Sequence, residues 1–127
     1  MVMGEFTQEA QLLVIGGGPG GYAAAFRAAD LGLDVTLVDA EGRLGGVCLW
    51  HGCIPSKTLL HVSELIDDVR RAGAMGLLLS EPRIDLERLR AWKAEVVERL
   101  AKGLLELSRR RGVQVIQGRA SFESSDQ

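Results

Sequence analysis

Two cysteines, Cys48 and Cys53, are the side chains whose chemistry the sequence points to first. A regular helix would place Cα atoms five positions apart at roughly 8.6 Å, beyond the limit of about 7 Å for a disulfide. The pair therefore requires irregular backbone, which Gly52 between the cysteines and Pro55 after them would permit. Closing so small a loop would stabilise a fold by only about 2 kcal/mol, so a redox role fits better than a structural cross-link.

The surroundings of the two thiols bear on their reactivity. We expect the N-terminus of a following helix and the ammonium of Lys57 to favour the thiolate, the form that attacks disulfides. Two other interpretations are open at this point: small buried cysteines without chemistry, and a metal site that includes His51, with or without His61. The metal site is the weaker, because three ligands would crowd into six residues and no second Cys or His cluster completes a tetrahedral set.

A glycine-rich turn precedes the cysteines. Gly16, Gly18 and Gly21 form a G-x-G-x-x-G pattern between an apolar run, Leu12–Ile15, and an Ala-rich stretch. In this context glycines permit a tight turn, a close approach to a pyrophosphate and close helix packing, and the helix N-terminus presents free N–H groups to the phosphates. Asp39 follows Gly16 by 23 positions, where a carboxylate can accept hydrogen bonds from ribose hydroxyls. The pattern predicts a dinucleotide site without distinguishing NAD from FAD; a glycine turn without a ligand is the alternative.

The remaining pattern predicts an α/β fold. An apolar strand expected to be buried on both faces, a helix and a second strand make a βαβ opening with parallel strands. Apolar residues at helical spacing predict two further helices, and a third strand follows. The predicted strands are 12–15, 35–39 and 113–116, with a short extended piece at 77–79, and the predicted helices are 22–31, 56–72 and 85–111.

Composition places the chain among ordinary globular domains. Hydrophobic residues make up 46% and charged residues 25%, and the formal net charge is −2. This excludes disordered, collagen-like and coiled-coil classes and gives no electrostatic reason to expect nucleic acid or an acidic membrane as a partner. The longest uncharged stretch is broken by Gly and Pro and cannot span a membrane, and no secretion signal is visible. We therefore expect a cytoplasmic protein of one domain.

The segment Gly45–Lys57, GGVCLWHGCIPSK, resembles the redox-active disulfide motif of the FAD-dependent pyridine nucleotide-disulfide oxidoreductases. Its IPSK ending is most similar to the dihydrolipoamide dehydrogenases of that family, and the resemblance extends over nearly the whole chain. It implies a Rossmann-like, parallel-sheet FAD-binding domain. A fragment of a mercuric or glutathione-type disulfide reductase and a non-catalytic FAD-binding or thiol-redox module are the alternatives.

The resemblance implies roles for individual residues. Cys48 would be the thiol that exchanges with lipoamide, Cys53 the thiol that faces the flavin, and Lys57 a cation near the flavin ring. The FAD pyrophosphate would lie at the glycine turn and the ribose at Asp39, and no metal is implied. The complete set of cofactor-binding residues that the resemblance implies is Gly16, Gly18, Pro19, Gly20, Gly21, Asp39, Ala40, Arg43, Gly45, Gly46, Val47, Cys48, Lys57 and Ala120.

The reaction of the family takes electrons from dihydrolipoamide to the cysteine disulfide, then to FAD and then as hydride to NAD. The sequence has no second G-x-G-x-x-G for NAD and no C-terminal His and Glu pair. Residues 1–127 are therefore expected to be the incomplete N-terminal part of the FAD-binding domain, with the NAD-binding and dimerisation domains absent. The resemblance further implies dihydrolipoamide on a lipoyl domain of a 2-oxoacid dehydrogenase complex as the substrate, and a homodimer as the full-length form.

Three residues depart from the usual pattern of the family. Asp39 replaces the commoner Glu, and Trp50 and His51 stand where Asn and Val are usual. The shorter carboxylate is still expected to bind ribose, whereas the packing around the bulkier Trp50 is expected to differ. One hypothesis is that His51 tunes a thiol pKa by lying near one sulfur; a solvent-facing imidazole is the alternative.

Overall fold

The computed structural model describes residues 9–124, which form three strands, four α-helices and one short 3₁₀ helix. The strands are β1 (Leu12–Ile15), β2 (Val35–Asp39) and β3 (Gln114–Gln117). The α-helices are α1 (Pro19–Asp30), α2 (Gly46–Trp50), α3 (Cys53–Arg71) and α4 (Leu86–Arg110), and the 3₁₀ helix is Ala72–Met75.

The three strands form one parallel sheet in the order β1-β2-β3, so β2 is central. Val14 pairs with Leu37, and Leu37 pairs with Val115 on the other side. This confirms the predicted α/β class with parallel strands. Because parallel strands end at the same edge, the segments that follow β1, β2 and β3 meet there.

The core lies between the sheet and the helices. Small side chains of α1 pack on branched side chains of β2, so this helix lies close to the sheet. Partly buried side chains from β1, β3 and α4 surround them. The buried cluster consists of Ala25, Ala28, Val35, Leu37, Leu44 and Val113. Leu44, in the loop after β2, extends this core towards the edge where the strands end.

One expectation about β1 is wrong. Its side chains alternate between the two faces of the sheet, as in any strand. Leu12 and Val14 pack against the core, whereas Leu13 and Ile15 are 54% and 51% exposed. The apolar run is therefore buried on one face only in the described residues.

The helix boundaries differ from the predicted ones at two starts. α1 begins at Pro19 rather than at residue 22, because a proline at the first helical position has the required φ and lacks an N–H that would be unpaired there. α3 begins at Cys53 rather than near residue 56, so both cysteines are helical. Gly32 follows α1 with a positive φ of +86°, which is typical of a glycine that ends a helix.

The segment 77–79 is not a strand, which corrects the expectation of an extended piece there. It has no pairing partner in the sheet, and the Leu77 N–H instead donates to the Ala72 carbonyl, closing the 3₁₀ helix. No helix among residues 9–124 is long and apolar enough to cross a membrane.

The long helix α4 confirms the prediction for 85–111. Asp85 caps it, because Oδ1 accepts the N–H groups of Glu87 (3.1 Å) and Arg88 (3.0 Å). The helix continues through Gly103, and Gly112 follows it with a φ of +70°. The return to the sheet at β3 depends on this ending.

Candidate functional site

The glycine turn joins β1 to α1 as its pattern predicts. Gly16 has a φ of +97°, a conformation that favours glycine. A Cβ at Gly21 would collide with the carbonyl oxygen of Gly16, whereas a Cβ at Gly18 would meet no atom within 4 Å. Gly21 is thus required for packing, and open space lies beside the backbone at Gly18.

Gly17, which the pattern leaves unassigned, fixes the turn to two other segments. Its N–H donates to Oδ2 of Asp39 (2.8 Å), and its carbonyl accepts the N–H of Gly45 (2.8 Å). A Cβ at Gly17 would lie 3.1 Å from Asp39 Oδ2 and 3.2 Å from Leu44 Cδ2. The run of three consecutive glycines was the available signal for this tight approach.

Asp39 has a structural role that sequence reasoning missed. Besides the bond from Gly17, its Oδ1 accepts the N–H of Glu41 at 2.9 Å. A carboxylate offers about four lone-pair sites, so these two bonds leave acceptor capacity for the ribose hydroxyls expected at this position. The carboxylate orders the edge of the sheet and remains able to bind a ligand there.

The loop that follows β2 lies directly on the glycine turn. Gly45 and Gly46 have φ values of +116° and +56°, and a Cβ at Gly46 would come within 2.7 Å of the Gly18 Cα. Two further predicted cofactor residues of this region, Ala40 and Val47, are exposed. The turn and the loop therefore form one surface, which we call the cradle: residues 16–21 and 39–47.

Ala120 lies beyond β3, and the structure places it near this edge only indirectly. It is exposed and outside any helix or strand. Two residues earlier, the Gly118 N–H donates to the Asp39 carbonyl at 3.0 Å. The segment containing Ala120 therefore starts beside Asp39, and its predicted contact with adenine stays a prediction.

The cysteines lie on two helices separated by a break. Cys48 is in α2, Cys53 begins α3, and Gly52 between them has a φ of −129° and a ψ of −108°. This agrees with the irregular backbone that their spacing demands. Both are free thiols in this structure, Cys48 half-buried and Cys53 exposed, so their disulfide stays a prediction.

The Cys53 thiol influences the ionisation of Cys48. The neighbouring Cys53 thiol, more than partial burial, raises the pKa of Cys48, while the Lys57 ammonium lowers it by less. The expectation that Lys57 favours the thiolate is right in direction, but Cys53 outweighs it at Cys48. His51 is exposed at the end of α2, and it is not among the groups that shift this pKa.

An apolar cavity of about 330 Å³ reaches Cys48. It lies between the start of α1, the cysteine helices and one face of α4, and Arg99 is the charged member of its lining. The lining residues are Pro19, Tyr22, Gly45, Cys48, Leu49, Ile54, Arg99, Leu100, Gly103, Leu104 and Leu107. Sequence reasoning did not find this cavity, because it depends on how α4 packs against α2 and α3.

Arg43, predicted to line the cofactor loop, is engaged elsewhere. Its guanidinium pairs with Glu41 at 2.6 Å and lies 4.1 Å from the ring centroid of Trp50. The Trp50 N–H in turn donates to the Leu44 carbonyl at 3.0 Å. The bulky Trp50 is therefore accommodated by specific contacts.

No group of three or more His, Cys, Asp or Glu side chains in residues 9–124 is arranged to hold a metal ion. The cradle instead fits a dinucleotide. Gly18 at the N-cap supplies no side chain, and no side-chain hydrogen bond caps α1 in the described part of the chain. Its first N–H groups thus remain available to an anion, next to the open space at Gly18 and the carboxylate of Asp39.

Comparison with known proteins gives a family for this arrangement. A family model described as pyridine nucleotide-disulphide oxidoreductase matches residues 10–127. The chain belongs to this family. Membership of this oxidoreductase family implies FAD binding, in agreement with the cradle.

Several relatives of the chain within the family are named dihydrolipoyl dehydrogenase. The protein of Haemophilus influenzae is 50% identical over 115 residues, covering 91% of this chain and 24% of the relative. Dihydrolipoyl dehydrogenase 2 of Haloarcula marismortui is 48% identical over 122 residues, covering 96% and 25% respectively.

A solved structure extends the comparison to the fold. The crystal structure of LpdA from Mycobacterium tuberculosis matches with a TM-score of 0.75 and 33% identity over 84% of this chain and 23% of that one. The fold is thus Rossmann-like and matches part of the LpdA structure. The chain spans about a quarter of the length of the relatives it matches.

Replacement of two adjacent glycines tests the packing of the turn. Gly21→Ala would force Cβ against the Gly16 carbonyl and is expected to lower the free energy of unfolding by about 1 to 3 kcal/mol or more. Gly20→Ala, where a Cβ meets nothing within 4 Å, is expected to be neutral or to stabilise by up to about 1 kcal/mol. Urea denaturation measures both, and equal effects would contradict the steric account.

The influence of Cys53 on Cys48 can be measured by alkylation. Because Cys53 raises the pKa of Cys48, Cys53→Ala is expected to lower that pKa and to shift the pH midpoint of Cys48 alkylation by iodoacetamide downward. Lys57→Met is the matched control, since losing the ammonium is expected to shift the midpoint upward. Site-resolved mass spectrometry gives the rates, and an unchanged or higher midpoint in Cys53→Ala would be evidence against the interaction.

Proposed function

We propose that this chain is the N-terminal part of the FAD-binding domain of a dihydrolipoyl dehydrogenase-type flavoprotein, which oxidises dihydrolipoamide to lipoamide and passes the electrons through FAD to NAD. The observation that carries the proposal is the pair Cys48 and Cys53, placed on two adjoining helices directly after the cradle. The names of the relatives support the same reaction. The NAD-binding and dimerisation domains would lie outside this chain.

The apolar cavity at Cys48 supports the choice of substrate. A lipoyl group is a hydrocarbon arm with a disulfide or dithiol at its end, and the aliphatic side chains of Leu100, Leu104 and Leu107 suit such an arm. Glutathione carries several charges, and the lining offers one charged side chain, Arg99. The cavity therefore favours lipoamide over the glutathione-type alternative.

In the proposed exchange, Cys48 is the sulfur that the substrate reaches. One substrate thiolate attacks Cys48 in the disulfide, the bond to Cys53 breaks, and Cys53 leaves as a thiolate. The second substrate thiol then attacks the mixed disulfide and closes lipoamide, which releases Cys48. Two electrons have passed from the substrate dithiol to the cysteine pair, and the substrate protons are left for the pair or solvent.

Other residues of the chain would bind FAD and stabilise charge near the thiols. The N–H groups at the start of α1 would bind the FAD pyrophosphate, Asp39 the ribose, and the segment around Ala120 the adenine end. Lys57 opposes the rise in the pKa of Cys48 and would stabilise negative charge near the pair. FAD, when bound, supplies the two-electron acceptor.

The partners follow from the reaction. We expect the dihydrolipoamide to be carried on a lipoyl domain of a 2-oxoacid dehydrogenase complex, and the full-length protein to be a homodimer. The reducing cytoplasm, where a dithiol can cycle between its two states, is the proposed location.

Serine variants test the roles of the two sulfurs. On incubation of the reduced chain with oxidised lipoamide, the wild type is expected to lose both thiols and to form an internal disulfide. Cys53→Ser is expected to stop at a mixed disulfide on Cys48, whereas Cys48→Ser reacts far more slowly because Cys53 does not line the cavity. Intact-mass spectrometry distinguishes the products, and the reverse order of reactivity would overturn the assignment.

Filling the cavity tests the substrate. Gly103 lines it, and a Cβ there meets no atom within 4 Å, so Gly103→Leu occupies the space while improving helix propensity by about 1 kcal/mol. We expect a rate of Cys48 reaction with lipoamide at least several-fold lower, with little change for a small alkylating reagent. Ala91→Leu, on an exposed position of α4, is the matched control, and an equal lipoamide rate in both variants would exclude the cavity as the route.

A further inference from the structure

Trp50 is the residue of the cysteine segment that the proposed reaction leaves without a role. It ends α2, which has five residues, too few for a helix that is stable by itself. Contacts with the rest of the protein must therefore fix the direction of α2. The position of Cys48, in the middle of this helix, depends on the same contacts.

Two contacts tie the Trp50 ring to the loop that precedes α2. Its Nε1–H donates to the Leu44 carbonyl at 3.0 Å, and the Arg43 guanidinium lies 4.1 Å from the ring centroid, within the range of a cation–π interaction. Glu41 holds Arg43 through a pair of hydrogen bonds of 2.8 and 2.6 Å. The bond to Leu44 closes the segment 44–50 into a loop that contains Cys48.

Trp50 binds the end of this loop that lies next to the glycine turn. Leu44 is 4% exposed and belongs to the core cluster. The next residue, Gly45, donates its N–H to the Gly17 carbonyl at 2.8 Å. Trp50 thus connects the carboxyl end of α2 to the glycine turn by way of Leu44 and its neighbour.

On its other side, Trp50 faces α4. It lines two small cavities of about 190 and 170 Å³, and Glu98 of α4 lines both. Val97, 6% exposed, lines the second. The ring therefore lies between the loop and α4, and a smaller side chain would enlarge these cavities and leave α2 less constrained.

We propose that Trp50 is a positioning residue for the redox pair: by binding the Leu44 carbonyl and Arg43, it holds α2 so that Cys48 stays beside Cys53. Thiols held together need little further ordering to form a disulfide, which raises their effective concentration towards each other. The inference rests on the proposed function, because it concerns the same thiol pair. It assigns a purpose to a side chain that differs from the usual one at this position.

The test is the redox equilibrium of the full chain with glutathione. Cys48 and Cys53 give two electrons and two protons to one glutathione disulfide, an S–S bond forms between the cysteines, and two glutathione thiols are released. Trp50→Phe keeps a ring but loses the N–H donor, and the loss of one hydrogen bond is expected to lower the equilibrium constant by about twofold to tenfold. Trp50→Leu, which also loses the ring, is expected to lower it further.

Trp92→Phe is the matched control, since Trp92 is the other tryptophan of the chain and lies on α4 outside the segment 40–53. Its equilibrium constant is expected to equal that of the wild type. If a Trp50 variant does not fold, Arg43→Met replaces it in the test, because this variant removes the stacked cation and leaves the hydrogen bond from Trp50 to the Leu44 carbonyl in place. In denaturant, where the fold no longer positions the thiols, the wild type and the variants are expected to have the same, lower equilibrium constant.

Three results would overturn the inference. Equal constants for Trp50→Phe, Trp92→Phe and the wild type would show that Trp50 does not position the pair. Equal constants for the folded and denatured wild type would show that the pair is not positioned at all. If the wild type forms no disulfide at any glutathione ratio, the proposed function fails together with the inference, whereas the first two results leave the redox pair intact.

Discussion

The backbone of Gly17 is the point on which the site depends. Its N–H binds Asp39 at the end of β2, and its carbonyl binds Gly45 at the start of the cysteine segment. The two polar backbone groups of this residue thereby fix three chain segments relative to one another at the edge where the strands end. A Cβ at Gly17 would press on the side chains of Asp39 and Leu44, so this arrangement favours glycine. The open backbone at Gly18 and the location of the cysteine helices both follow from it.

Much of this fold could be predicted because its signals are local. The apolar runs of the three strands and the helical spacing in α4 each depend on a few neighbouring residues, and the structure bears them out. The exposure of Leu13 and Ile15 could not be predicted, because periodicity does not say which face of a strand another element covers. The cavity at Cys48 was missed for the same reason, since it arises where α4 packs against the cysteine helices. The bond from Trp50 to the Leu44 carbonyl spans only six residues, but it depends on the irregular turn at Gly45 and Gly46, whose φ values are positive.

The cysteine pair shows how a neighbouring thiol can reverse an expectation based on the charges around it. Lys57 and the start of a helix both favour a thiolate, as the motif suggests. The largest influence on the pKa of Cys48 is nevertheless the Cys53 thiol, which raises it. A hydrogen bond between two neighbouring thiols disfavours the loss of the shared proton. Repulsion between two thiolates disfavours ionisation as well. The same closeness that makes Cys48 a weaker acid would favour the disulfide that we propose. The acidity of Cys48 and the proposed tendency of the pair to oxidise are thus separate properties that depend on one contact.

The order of the strands has a consequence for how the protein is made. β1, α1, β2 and the two cysteine helices lie in one continuous stretch, and β1 pairs with β2 across a short separation, Leu12 with Val35. β3 pairs with β2 only after the whole of α4, Thr36 with Gln114. Because the entropy cost of closing a chain segment rises with its length and synthesis proceeds from the N-terminus, the nucleotide-binding turn can assemble on the ribosome while α4 is still being translated. β3 then pairs with β2 next to a glycine turn that has already formed.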